Sequence, residues 1–304
     1  METRALTCLY GALVGDAYGA QLEFLKPRPI PQELMDLADY MELEGLLGLV
    51  PGQLTDDGEL TICLLRSLVL TTGQSASELY HMWLASDPVD CGNTCKNAFG
   101  VATAAEQLAE SATYNIDSQA NGALMRVSPI GVVGAISGHT MAHIANAARA
   151  DALLSHPNVV CQEANAAYVV AIAHLIEFGS NGREEALMLA LQHCRNEVVR
   201  SWITCDDVEN VLRMTMTRDN IGWVKWGVML AFHHLRQGTS YEVAIRETCR
   251  MGGDTDTNAC IVGGLIGATC VMNDIPPRWL NKVIACSERP EWLRPSCVLD
   301  LVRK

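Results

Sequence analysis

Two short acidic stretches carry the densest chemistry in this chain. Arg250-Met251-Gly252-Gly253-Asp254-Thr255-Asp256-Thr257-Asn258 sets two carboxylates and two hydroxyls on a Gly-Gly turn, directly before an apolar run over residues 259–272. At such a helix start, unpaired backbone N–H groups and the positive end of the dipole stabilise negative charge. The turn can serve as a cap, with Asp256 or Thr255 as the capping side chain, or as a cation site. Thr55-Asp56-Asp57-Gly58 repeats the hydroxyl-plus-two-carboxylate composition before a second amphipathic helix, and that repetition favours the cation site. All the donors are oxygen, the preference of hard divalent cations such as Mg²⁺, Mn²⁺ or Ca²⁺. Thr55, Asp56 and Asp57 from one loop and Asp254, Asp256 and Thr257 from the other hold enough charge for two such ions close together.

Two other uses of an Asp-x-Asp-x pattern can be weighed on the residues themselves. An EF-hand loop opening at Asp254 needs Gly at its sixth position and Glu at its twelfth, where this chain has Ala259 and Leu265, so that reading is excluded. A dehalogenase-type phosphatase places such a motif behind a buried strand early in the chain. Here it follows a polar helix end and comes late.

The elements that must position these loops read as helices almost throughout. Leu60, Cys63, Leu64 and Leu68 recur at three-and-four spacing, as do Ala98, Val101, Ala102, Ala105 and Ala109. The same period runs through residues 164–176 and through Trp223, Trp226, Leu230, His234 and Leu235. By that spacing Trp223, Trp226 and His234 are core residues. Alternating strand-like runs are scarce, and Ala-rich stripes suggest helices packed closely around one centre. The expected class is all-α, a single domain over residues 1–304. Turn chemistry marks breaks at residues 26–31, 86–88, 111–121, 155–158, 178–182, 237–240 and 273–277.

A net charge of -13 with no long acidic block and no basic patch argues against a nucleic-acid partner. Twelve cysteines sit largely in apolar helical patterns, where reduced Cys behaves as a small hydrophobe, so a reducing, cytoplasmic compartment is expected. Cys91 and Cys95 lack a second pair at zinc spacing and read as structural. Residues 5–20 loosely mimic a secretory leader, but Glu2 opposes its single Arg4 and Asp16 falls where cleavage would occur. They read as a first core helix. The apolar run 259–272 falls short of the roughly 18 residues a membrane helix needs, and no membrane partner is expected.

Taken together, Gly15-Asp16-Ala17-Tyr18-Gly19-Ala20-Gln21-Leu22-Glu23, Thr55-Asp56-Asp57, Asn121-Gly122-Ala123-Leu124-Met125-Arg126, Ser155-His156-Pro157 and Gly252-Gly253-Asp254-Thr255-Asp256-Thr257 resemble the ADP-ribosylglycohydrolase family, which includes the dinitrogenase-reductase-activating glycohydrolases. The resemblance implies a compact orthogonal helical globule with a binuclear cleft for ADP-ribose and two divalent cations, Mg²⁺ or Mn²⁺. It places Thr55, Asp56, Asp57, Asp254, Asp256 and Thr257 on the family's metal ligands. Glu23 falls on a loop carboxylate beside the metals, which with Asp56 is the catalytic candidate. Ser118, Gln119, Ala120 and Asn121 fall on the loop that wraps the diphosphate, and His156 on a phosphate or ribose contact. Asp117 and Ala120 depart from the family's commoner glycines, and Ala lacks glycine's access to positive φ.

The implied activity is metal-dependent hydrolysis of the glycosidic bond between ADP-ribose and a modified protein side chain, with arginine favoured. Serine-linked ADP-ribose, O-acetyl-ADP-ribose and a non-catalytic ADP-ribose-binding regulator are the alternatives. The expected partner is an ADP-ribosylated protein or ADP-ribose-containing small molecule, met by a monomer. Arg126 reads as a buried ion-pair partner outside the catalytic set.

Overall fold

Thr7, Gly11, Gly15 and Gly19 recur every four residues in the first helix, and Thr255, Ala259, Gly263 and Gly267 do the same after the Gly-Gly turn. A four-residue repeat of small side chains lines one helix face and lets another backbone approach it. In the computed structural model, which describes residues 1–304 except 27, 71, 72 and 304, the two stripes face each other. They belong to the helices Glu2–Gly19 and Thr255–Gly267. A Cβ at Gly15 would lie 2.1 Å from the Ala259 carbonyl oxygen, one at Gly19 2.3 Å from that of Thr255, and one at Gly267 2.3 Å from that of Thr7. Residues 7 with 267, 15 with 259 and 19 with 255 define an antiparallel pair. The end of the first helix therefore lies beside the start of the second.

Other helices enclose this pair. Val159–Phe178 is buried along most of its length, and its Tyr168 hydroxyl donates to the Ile261 carbonyl at 2.7 Å. The Tyr241 hydroxyl, from Tyr241–Arg250, donates to the Gly11 carbonyl at 2.6 Å. Each bond satisfies a buried phenol while tying a surrounding helix to the central pair. Val224–Gln237 packs on Thr255–Gly267, and Ser128–Ile136 bridges Val159–Phe178 and Asp56–Val69. The fold is all-α; among the described residues the one β-type pairing is an isolated bridge between Ala120 and Trp223.

Several sequence expectations change at their edges. The apolar face assigned to residues 98–109 is split between Asn93–Phe99 and Ala104–Tyr114, because Thr103 and Glu106 form a capping box that starts a new helix. That same helix continues to Tyr114, so the expected break at 111–121 begins later. The helix opening the 259–272 run ends at Gly267, and Met272–Asp274 forms a short 3₁₀ turn. The segment Val159–His193 is long and apolar enough by composition to cross a membrane, unlike the run 259–272, and 89% of its apolar window is buried inside the fold.

Candidate metal centre and cleft

Three helix ends converge where the antiparallel pair brings the two acidic turns together. The first helix contributes Asp16, fully buried, which accepts from the Thr55 hydroxyl at 2.8 Å, the Thr55 N–H at 3.1 Å and the Gly58 N–H at 2.9 Å. Thr55 is the N-cap of Asp56–Val69 but makes no side-chain cap bond; its hydroxyl serves Asp16 and lies 3.1 Å from Asp57 Oδ2. Asp254 is the N-cap of Thr255–Gly267, again without a side-chain cap bond. It accepts from Asn121 Nδ2 at 2.7 Å. The alternative of a cap by Asp256 or Thr255 is therefore not realised at the second turn, and the side chains of the two turns point at one another. Across 200 residues of sequence, the Thr257 hydroxyl donates to Asp57 Oδ2 at 3.2 Å.

The turn that presents Asp254 depends on two glycines with left-handed backbone, φ +71° at Gly252 and +95° at Gly253. L-residues with side chains adopt such angles only under strain. The Arg250 carbonyl accepts from the Ile30 N–H at 2.8 Å, tying this turn to the segment beyond Glu23.

Two groups of carboxylates result. Asp16, Asp57 and Asp256 offer oxygens within 4.8 Å of one another, as do Glu23, Asp254 and Asp256, so Asp256 belongs to both. Burial pushes the Asp16 carboxyl up to about 7, against the bonds from Thr55 and Gly58 that favour its ionised form. Asp56 is pushed up to about 8 by burial and the charge of Asp90, and Glu23 to about 9 by burial and the charges of Asp254, Asp90 and Asp56. Asp57 and Asp256 are held well above the usual carboxylate range by burial and by their acidic neighbours. Asp254 is also raised by burial, despite the bonds it receives.

Buried carboxylates without a basic partner are unfavourable unless protons or cations neutralise them. Glu23 Oε2, Asp57 Oδ1 and Asp256 Oδ1 are buried and have no hydrogen-bond partner. Vacant oxygens on adjacent carboxylates are what hard divalent cations require, so these residues fit such ions.

The centre opens into a cleft of about 410 Å³. Glu23, Asp56, Asp254, Asp256 and Thr257 line it, with Ala120, Asn121 and His156 on its walls. Thr55 and Asp57 lie behind the lining, in contact with Asp16 and Thr257. Ser118 and Gln119 do not line the cleft: Ser118 Oγ sits 2.9 Å from the Thr94 hydroxyl, and Gln119 Oε1 accepts from the Trp223 indole at 2.9 Å. Those side chains brace the loop whose next residues, Ala120 and Asn121, reach the cleft.

His156 is fully buried; its Nδ1 is 2.8 Å from the Ser155 hydroxyl and its Nε2 has no partner. Burial and the nearby Arg126 charge hold it well below the usual histidine range, so the ring is neutral. Gly122 gives it room, since a Cβ there would stand 3.0 Å from His156 Cε1. Arg126 is a buried ion-pair partner, as its sequence context suggests, bonded to Asp151, Tyr80 and the Gly122 carbonyl.

Two participants escaped the sequence reading. Asp16 stands within the motif over residues 15–23 and the first apolar helix, but the sequence assigns it no role at the site. Asp90 lines the cleft from the loop before Asn93–Phe99, and the neighbouring Gly92 N–H donates to Asp56 Oδ2 at 3.3 Å.

Comparison with known proteins agrees with this geometry. The family described as ADP-ribosylglycohydrolase matches residues 1–302. The chain is 31% identical to a protein of Acanthamoeba polyphaga mimivirus named, provisionally, an ADP-ribosyl glycohydrolase, over 94% of this chain and 92% of that one. It is 30% identical to the ADP-ribosyl-[dinitrogen reductase] glycohydrolase of Rhodospirillum rubrum, over 95% and 93%. A solved structure titled an ADP-ribosylglycohydrolase-related protein complex superposes with a TM-score of 0.75 at 26% identity, covering 99% of this chain and 98% of that one.

Proposed function

The chain belongs to the ADP-ribosylglycohydrolase family and is a glycohydrolase of ADP-ribose linkages; from that premise we propose that it removes ADP-ribose from modified arginine side chains of proteins, using two divalent cations, Mg²⁺ or Mn²⁺. The observation that carries the metal-dependent part is the set of buried, partnerless carboxylate oxygens on Glu23, Asp57 and Asp256. Two cations are supported by the two carboxylate groups that share Asp256. A protein substrate is supported by the Rhodospirillum relative, whose name gives dinitrogen reductase as the protein it acts on; arginine as the modified side chain is carried over from the family resemblance. A reducing compartment suits twelve unpaired cysteines, eight of them buried.

Cleavage at the anomeric carbon gives the ribose oxocarbenium character. Divalent cations bound among these carboxylates would neutralise them, orient the ribose hydroxyls and lower the pKa of a bound water. Asp254, held by Asn121 Nδ2, and Asp57, held by Thr257 and Thr55, keep fixed orientations through the reaction. Glu23 stands at the cleft edge of the centre and takes the proton of the attacking water, with Asp56, anchored by the Gly92 N–H, as the second catalytic carboxylate. When the Ser155 hydroxyl donates to Nδ1, neutral His156 presents an Nε2–H donor to an oxygen of the ligand. Asn121 and the Ala120 backbone complete that wall of the cleft.

The deciding measurement is release of free ADP-ribose from arginine-linked and serine-linked ADP-ribosylated peptides, with and without Mg²⁺ or Mn²⁺. Cation-dependent release from the arginine linkage is expected. Folded, cation-loaded protein that releases nothing from arginine-linked peptide overturns the proposal.

A further inference from the structure

Phe24 is out of place for an aromatic residue. Leu22 and Glu23 are buried at 0% and 4% exposure, while Phe24 is 45% exposed and lines the cleft. Its φ is +60°, in the left-handed region that bulky side chains rarely enter. Turn bonds from Leu22 N–H to the Gly19 carbonyl at 2.9 Å and, more weakly, from Leu25 N–H to the Leu22 carbonyl at 3.3 Å flank this position. The ring adds little to the core, so burial does not explain why the strain persists. Backbone strain of this kind concentrates where function fixes a side chain. The turn sends Glu23 inward, toward Asp254 and Asp256, and leaves the next side chain at the cleft wall.

The cleft is electrostatically uneven. Glu23, Asp56, Asp90, Asp254 and Asp256 make one part acidic, whereas Gly122, Cys95 and His156 cluster in an uncharged part. The carboxylate part, where divalent cations would be held, is the reacting end of the cleft, and the uncharged part is its other end. Phe24 follows Glu23 in the chain and so belongs to the reacting end, beside the group released from the ribose. A guanidinium is planar, weakly hydrated and stacks on aromatic faces. Building on the arginine reading above, we infer that Phe24 is a specificity-determining residue whose ring stacks on the planar cationic side chain from which ADP-ribose is released.

The test compares steady-state kinetics of wild type, Phe24→Leu, Phe24→Tyr and Phe24→Gly on arginine-linked and serine-linked ADP-ribosyl peptides, together with affinity for free ADP-ribose. Phe24→Leu and Phe24→Gly should raise KM for the arginine linkage by about tenfold, with kcat changed less than twofold. Phe24→Tyr keeps the ring and should restore wild-type KM. Affinity for ADP-ribose, and any KM measured for the serine linkage, should stay within twofold. Glycine accepts positive φ, so Phe24→Gly should melt no lower than wild type, which separates function from folding. An unchanged arginine KM in Phe24→Leu overturns the inference alone. An equal loss for both linkages, or a loss of ADP-ribose affinity, shows the ring packing on ADP-ribose and also overturns it. A wild type inactive on arginine-linked peptide removes the arginine reading, and the inference with it, before any variant is compared.

Discussion

Asp16 shows how a single side chain can hold a site together without lining its cleft. Its two oxygens receive the Thr55 hydroxyl, the Thr55 N–H and the Gly58 N–H, all inside the protein. Removing the carboxylate leaves buried donors without partners, each a loss of about 1–3 kcal/mol. Asp16→Ala should therefore lose about 3 kcal/mol or more of stability by denaturant unfolding and weaken cation binding measured by calorimetry. Asp16→Asn should fall between, because an amide offers one acceptor oxygen where both carboxylate oxygens accept. If Asp16→Ala unfolds like wild type, those bonds do not hold the Thr55 turn. In the sequence Asp16 registered as a residue that spoils a leader's cleavage region and as part of the motif over residues 15–23, with no role of its own. Its partners lie about forty positions away, and no local period connects them. Arg126 was easier to read, since a guanidinium amid apolar residues needs a buried anion, and Asp151 supplies it.

At the scale of elements, the site's geometry is set by how closely Glu2–Gly19 and Thr255–Gly267 approach. Gly15 tolerates no Cβ, which would lie 2.1 Å from the Ala259 carbonyl oxygen. Gly15→Ala must push the helices apart, and overpacking of a tight interface costs about 1–3 kcal/mol or more. Because Asp16 is the next residue and Asp256 lies in the first turn of the partner helix, kcat should fall at least tenfold even at temperatures where the variant remains folded. Gly100 is the control: its φ is negative and the nearest atom to an added Cβ is the Lys96 carbonyl oxygen at 3.9 Å. Gly100→Ala should leave both melting temperature and kcat near wild type. Helical periodicity made most elements legible, and the small-residue stripes indicated close packing. The pairing of the stripes was not legible, because a four-residue repeat names a face and not its partner. The merged reading of residues 98–109 failed for a related reason: a capping box interrupts the backbone without disturbing the apolar period around it.

For the whole molecule, the formal charge of -13 assumes that every carboxylate is ionised, and the centre contradicts that assumption when no cation is bound. The pKa values of Asp16, Asp56 and Glu23 are raised from 3.8, 3.8 and 4.5 to about 7, 8 and 9. A raised folded-state pKa means that the folded chain holds the proton more tightly than the unfolded chain. The stability this contributes is complete below about pH 4 and is lost as pH rises through 7 to 9. Cation-free protein should accordingly melt at progressively lower temperature from pH 5.5 to pH 9. Cation binding displaces those protons, so Mg²⁺ or Mn²⁺ should stabilise the protein more at pH 8.5 than at pH 6, and calorimetry near pH 7 should detect proton release. Asp256→Asn tests the assignment, because Asp256 belongs to both carboxylate groups. It should lessen the alkaline loss of stability in cation-free protein and nearly abolish the stabilisation by cations. A cation-induced rise in melting temperature that is the same at pH 6 and pH 8.5, or that survives in Asp256→Asn, would place the ions elsewhere on this acidic protein and detach the two acidic turns from the chemistry.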